Sequence, residues 1–103
     1  MYVVIFITVS NKKEAERIAR HLIKHKLAPC VNIASDIKSL FWWKSKIDIA
    51  KEVLLIIKTK KTLIGKLIKK VKSLHSYEIP EIIALPIVAG NKKYLDWINE
   101  STR

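Results

Sequence analysis

The chain is poor in residues that staple, bend or interrupt a backbone. Its 103 residues include one cysteine, two glycines, three prolines, one methionine and no glutamine. A lone cysteine, Cys30, cannot form an intrachain disulfide, which excludes a disulfide-stapled secreted scaffold. It also excludes a multi-cysteine structural zinc site within one chain. With only Gly65 and Gly90 there is no glycine-rich phosphate loop. Neither a nucleophile elbow nor a repeated carboxylate–histidine constellation is present, so an enzyme is not expected. The longest uninterrupted apolar runs, Tyr2–Ile7 and Val53–Ile57, fall far short of the roughly 18–20 residues that span a membrane. No basic, apolar leader with a small-residue cleavage site opens the sequence. The expectation is a cytoplasmic protein without a membrane partner.

Acidic residues are scarce as well: nine Asp+Glu face 20 Lys+Arg, a formal net charge of +11. Such a surplus permits anionic partners without specifying one. Hydrophobic residues make up 50% of the chain, enough for the core of a single domain over residues 1–103. The wealth of Lys and Ile, together with the missing glutamine, fits a thermostable protein.

Tyr2–Val9 reads as a strand buried on both faces. Asn11 then fits a helix N-cap, with Glu14 three residues on to close a capping box. The helix carries Ala15, Ile18, Ala19, Leu22 and Ile23 on one stripe and ends near Lys26. From Cys30 to Trp43 the chain alternates as a half-buried strand, with Val31, Ile33, Ile37, Phe41 and Trp43 sharing one parity. Lys44-Ser45 is the expected turn, and Lys46–Thr59 the returning strand. Thr59 is placed to cap a second helix with the stripe Leu63, Ile64, Leu67, Ile68, Val71 and Leu74. Lys60, Lys61, Lys66, Lys69, Lys70 and Lys72 form its solvated face. A loop over His75–Pro80 leads to a last strand, Glu81–Ala89, in which Pro86 marks an edge or a bulge. Gly90-Asn91 opens a final helix bearing Tyr94, Leu95, Trp97 and Ile98.

The order β-α-β-β-α-β-α predicts an α+β, ferredoxin-like βαββαβ plan with an extra C-terminal helix and a long β2–β3 hairpin. Fourteen strand residues at roughly 3.3 Å each span about 45 Å. A compact domain of this size is only about 34 Å across, from a radius of gyration near 13 Å. The hairpin therefore overhangs its own domain, and its tip exposes Phe41, Trp42 and Trp43. A second subunit is expected to cover this patch. Sheets of this kind that bind RNA display aromatics in a G-F/Y-x-F pattern on central strands. None is present, and specific nucleic-acid binding is not expected.

Five blocks, in order and across essentially the whole chain, resemble one known family. Leu27-Ala28-Pro29-Cys30-Val31-Asn32 is similar to its LAACVN segment, and Trp43-Lys44-Ser45-Lys46-Ile47 to its W-x-G-K-I hairpin tip. Glu52-Val53 and Ile57-Lys58-Thr59 resemble E-V…K-T. His75-Ser76-Tyr77-Glu78-Ile79-Pro80-Glu81 resembles H-P-Y-E-x-P-E, and Tyr94-Leu95-x-Trp97 resembles Y-L-x-W. The family is CutA, the divalent-cation tolerance proteins. The resemblance implies a PII-like homotrimer with a part in the response to copper and other divalent metal ions.

Imidazole, thiolate and carboxylate groups bind such ions. His75, Cys30 and Glu81 are the candidate metal ligands, with copper or another divalent cation at clefts between subunits. Asn32, Lys58, Tyr77 and Trp97 are candidate ligand-binding residues, Lys58 as an anion clamp beside Tyr77 and Glu81. Phe41, Trp42 and Trp43 are the candidate oligomer interface. The alternative function is a PII-like signalling or interaction module for a nucleotide or small anion. Two departures stand out. Ser45 replaces a turn glycine, which demands a non-glycine residue at positive φ or another geometry. Ser76 replaces a proline, which is expected to loosen the loop.

Overall fold

The computed structural model describes residues 1–102. Its elements run β1 (Tyr2–Val9), α1 (Lys12–Lys24), β2 (Cys30–Trp43), β3 (Lys46–Lys60), a single 3-10 turn (Lys61–Leu63), α2 (Ile64–Leu74), β4 (Ile82–Pro86) and α3 (Lys92–Glu100). The sheet order is β2-β3-β1-β4, antiparallel throughout. This is the split βαβ arrangement with both crossover helices on one face.

Alternation sets the two faces of the sheet. Val3, Ile5, Ile7 and Val9 of β1 and Val53, Leu55 and Ile57 of β3 are buried against the helices. The helices answer with Ala15, Ile18 and Leu22 from α1 and Leu63, Leu67 and Val71. Ile23, expected on the buried stripe, is instead exposed. Ile98 of α3 is buried outside this core cluster. Its helix lies toward Tyr2 and Cys30, both on the sheet's second face.

Four local features depart from the sequence reading. Thr59 caps no helix: it is fully buried in β3, and its hydroxyl donates to the Leu27 carbonyl at 2.7 Å. The last strand is short, Ile82–Pro86, and Pro86 sits on an edge strand as its missing N–H requires. Helix α1 closes in a Schellman arrangement, with Leu27 N–H on Leu22 O (2.9 Å) and Lys26 N–H on Ile23 O (3.0 Å). That places Lys26, a non-glycine residue, at φ 58°.

The fourth departure concerns the hairpin. A β-bulge lies between Ala34 and Ile37, with Asp36 at φ 62°. Val31 and Ile33 pair with Ile57 and Leu55 on the helix side, whereas Ile37 pairs with Glu52 on the second face. The single parity expected for Val31, Ile33, Ile37, Phe41 and Trp43 is thus broken, because one extra residue flips every later side chain. At the tip, Lys44 (φ 50°) and Ser45 (φ 65°) form a two-residue turn with both central residues left-handed. This is the type I′ geometry that matches strand twist. The hairpin extends the molecule to 45 × 26 × 23 Å, so the expected overhang is present.

Candidate functional site

The candidate residues separate into two groups, one at the base of the hairpin and one at its middle, beyond the bulge. At its base, Cys30 pairs with Lys58, and the Lys58 ammonium donates to the Asn32 side-chain carbonyl. The Cys30 thiol lies 4.0 Å from that same oxygen. Tyr94 joins from α3; burial first, then the neighbouring Cys30, raises its phenol above the usual range. Its ring lies 5.5 Å from that of Trp97, which is half exposed.

Toward the tip, Tyr77 donates its hydroxyl to Glu52 Oε2 at 2.7 Å. Glu52 lies six residues before Lys58 on the same strand, about 20 Å away at roughly 3.3 Å per residue. Lys58 therefore does not sit beside Tyr77 and Glu81 as an anion clamp. Cys30, paired with Lys58, is likewise remote from Glu81 within one chain.

His75 occupies neither group as a free ligand. Its side chain is fully buried. The ring Nε2 lies 2.8 Å from the Thr8 carbonyl oxygen, which can only accept, so this nitrogen carries the proton. Nδ1 then accepts the Tyr77 N–H at 3.0 Å. Both nitrogens are occupied, and the imidazole has no lone pair left for a metal. As placed, it pins the loop after α2 to β1.

Glu14 is the partner that sequence reading missed. Asn11 does cap α1, accepting the Glu14 N–H at 2.8 Å. The Glu14 side chain, however, does not return to Asn11. Its carboxylate accepts from the Ser10 hydroxyl and from both the N–H and the hydroxyl of Ser76, each at 2.8 Å. Burial pushes its pKa up, but these hydrogen bonds outweigh burial and leave it below the ordinary value. Ser76 therefore anchors the loop that it was expected to loosen, and a proline there would lack the donated N–H. The advance signal was a carboxylate in the first turn of a helix, with Ser10 just before the N-cap.

The distal half of the hairpin and the 75–81 loop enclose a cleft of about 850 Å3. Its carboxylates come from two segments: Asp48 and Glu52 of β3, and Glu78 and Glu81 of the loop. Phe41, Trp43 and Tyr77 supply aromatic walls, and Lys38 is the single lining cation among the described residues. Burial, the Glu52 hydrogen bond and charge, and Glu14 together push the Tyr77 phenol far up, so it remains a donor across the physiological range. Glu52 was visible in the matched Glu52-Val53 pair, as a carboxylate set in an apolar strand. Glu78 stood likewise in the matched block from His75 to Glu81, whereas Asp48 carried no such mark.

A family model described as "CutA1 divalent ion tolerance protein" matches residues 3–101. The divalent-cation tolerance protein CutA of Archaeoglobus fulgidus is 48% identical over 101 residues, covering 98% of each chain. The chloroplastic protein CutA 1 of Oryza sativa is also 48% identical, and the chain spans 57% of its length. Among solved structures, the divalent cation tolerance protein of Thermus thermophilus superposes with a TM-score of 0.98 at 43% identity, covering 100% of both chains.

Proposed function

The chain belongs to the CutA1 divalent ion tolerance family, and we propose that it serves there as a homotrimer taking a divalent cation, copper foremost, at clefts between subunits. One observation carries this reading: an acid-lined cleft lies open beside an uncovered apolar hairpin. Leu40, Trp42, Ile47 and Ile49 are each more than half exposed, and Phe41 and Trp43 only slightly less. A patch of that kind is an association surface. Phe41 and Trp43 also line the cleft, so a copy seated on the hairpin would close it.

Among the described residues no group of three His, Cys, Asp or Glu side chains could hold a metal ion. A complete site then draws on two subunits, with Glu81 and Glu52 of one protomer as anchors and the partner supplying the remaining ligands. Copper is favoured over zinc at a given oxygen and nitrogen set by the ordinary order of divalent affinities. The nucleotide or small-anion reading gains nothing from a cleft whose charges are mostly carboxylates.

Light scattering tests the assembly: the expected mass is about three times 11.9 kDa. Trp43→Ala should weaken it, since buried aromatic anchors contribute about 2 kcal/mol or more at interfaces. Titration with Cu(II) and Zn(II) tests the site. Glu81→Gln should lower Cu(II) affinity tenfold or more, since even the loss of a group that only orients a ligand costs about 10–100-fold, and leave the trimer intact. A monomer at micromolar concentration, or a Glu81→Gln variant that titrates copper like the parent, overturns the reading.

A further inference from the structure

The helical layer, remote from the acid-lined cleft, has a depression of its own. It has a volume of about 410 Å3 between the end of α1 and α2, and is lined by His25, Leu27, Lys66, Lys69, Lys70 and Ser73. The last four fall at i, i+3, i+4 and i+7 and so share one face of α2. At 1.5 Å per residue this row is about 10 Å long. Leu27, almost wholly buried, forms its apolar part.

Among the described residues no carboxylate lines the groove. The two acidic residues of α1 are committed elsewhere: Glu14 is turned inward to Ser10 and Ser76, and Glu16 faces Arg20 at 3.5 Å. Lys66, Lys69 and Lys70 have no ion-pair partner among the described residues. The positive field is therefore uncompensated at this place.

His25, which lines the groove, lies against a second imidazole. His21 stacks on His25 with ring centroids 4.1 Å apart. His25 donates Nδ1–H to the His21 carbonyl at 2.9 Å, an oxygen that can only accept. The His21 Nε2 is buried without any hydrogen-bond partner. Burial holds its imidazole toward the neutral form, and His25, Lys70, Lys24 and Arg17 add to the effect in that order. An anion in the groove would offset the positive charge gathered around His21.

We propose that this groove binds an oligophosphate chain, with Lys66, Lys69 and Lys70 on successive phosphates and His25 at one end. A single phosphate would engage one or two ammonium groups; a chain of three meets the whole row. Lysine acts here as a point charge and sets no bidentate geometry, so the site reads the length and charge of the chain and not the group attached to it. The site is independent of the metal cleft and survives if that reading fails.

The test is isothermal titration of the intact protein at about 0.1 M salt, where long-range attraction is screened beyond roughly 10 Å. The probes are inorganic triphosphate, ATP and orthophosphate. Triphosphate and ATP should bind within about threefold of each other, and orthophosphate at least tenfold more weakly, a gap of about 1.4 kcal/mol or more. Lys69→Gln with Lys70→Gln should weaken triphosphate binding tenfold or more. The charge-matched pair Lys12→Gln with Lys13→Gln, at the far end of α1, should change it less than twofold. Equal losses in both pairs, or no binding of triphosphate at millimolar concentration, overturn the proposal. So does a DNA duplex that binds tightly while triphosphate does not, since that result makes the helical layer a nucleic-acid face.

Discussion

Replacing Ser76 with proline restores the residue of the family motif, yet it should destabilise this chain. Ser76 gives Glu14 two hydrogen bonds of 2.8 Å, one from its N–H and one from its hydroxyl. Proline removes both donors at once and leaves a buried carboxylate with the Ser10 hydroxyl as its remaining side-chain hydrogen-bond donor among the described residues. Hydrogen bonds to charged groups are each worth about 1.5–3 kcal/mol. The substitution recovers only about 0.4–1 kcal/mol by stiffening the unfolded chain. His75 already has ψ 141°, the extended backbone that a following proline prefers, so no further strain enters there. The net loss is about 2–5 kcal/mol from these opposing contributions. Ser76→Ala keeps the N–H and should cost about half as much, since one of the two bonds survives. Urea unfolding of the three proteins gives the ordering parent, Ser76→Ala, Ser76→Pro. A side-chain carboxyl titration followed by NMR gives a second readout, because the Glu14 pKa must rise when its donors are lost. A Ser76→Pro protein as stable as the parent, with Glu14 titrating unchanged, would refute the anchoring role.

Two further outcomes follow from the backbone and the buried acid. Ser45→Gly should raise the urea midpoint by an amount equivalent to about 1 kcal/mol, because Ser45 holds φ 65° and a left-handed L-residue costs roughly 1–2 kcal/mol; Lys26→Gly at φ 58° should act in the same direction. The Glu14 carboxyl is depressed in the fold below its ordinary 4.5, so its stabilisation is complete above that pH and is lost as pH falls through the folded value. Thermal melts below pH 4.5 should therefore steepen for the parent and flatten for Glu14→Gln, which in turn is less stable at neutral pH. Identical acid limbs in both proteins would show that the carboxylate's hydrogen bonds contribute nothing.

Periodic features were readable before the fold was known. Ala15, Ile18 and Leu22 repeat at helical spacing, and Val53, Leu55 and Ile57 alternate, because burial of a face imposes those periods. The family blocks marked Glu52, Tyr77 and Glu81, which the fold does gather at one cleft. What stayed hidden depended on one-residue events or on long-range polar pairing. The Asp36 bulge leaves no trace in a pattern of hydrophobicity, yet it moves Ile37, Phe41 and Trp43 to the other face. Glu14 meets Ser76 across 62 positions of sequence, and nothing local distinguishes that from a capping box. His75 was a candidate metal ligand because it is the imidazole of the matched block, close in sequence to Glu78 and Glu81, whereas its two nitrogens are consumed by Thr8 and Tyr77.

The bulge at Asp36 divides one ribbon into two surfaces with separate obligations. Before it, odd-numbered positions such as Val31 and Ile33 answer to the helices of their own domain. Beyond it, the odd positions Ile37, Phe41 and Trp43 answer to the opposite side, where the cleft lies. A substitution in the distal arm can therefore retune the cleft without disturbing the core, and a change near the base can repack the core without touching the cleft. Removing one residue at the bulge would cancel that division, turning the whole distal arm over like a misthreaded tape. Drift in the two halves of the strand is thus decoupled, and the length of the segment between Ala34 and Ile37 is under tighter constraint than the identity of its residues.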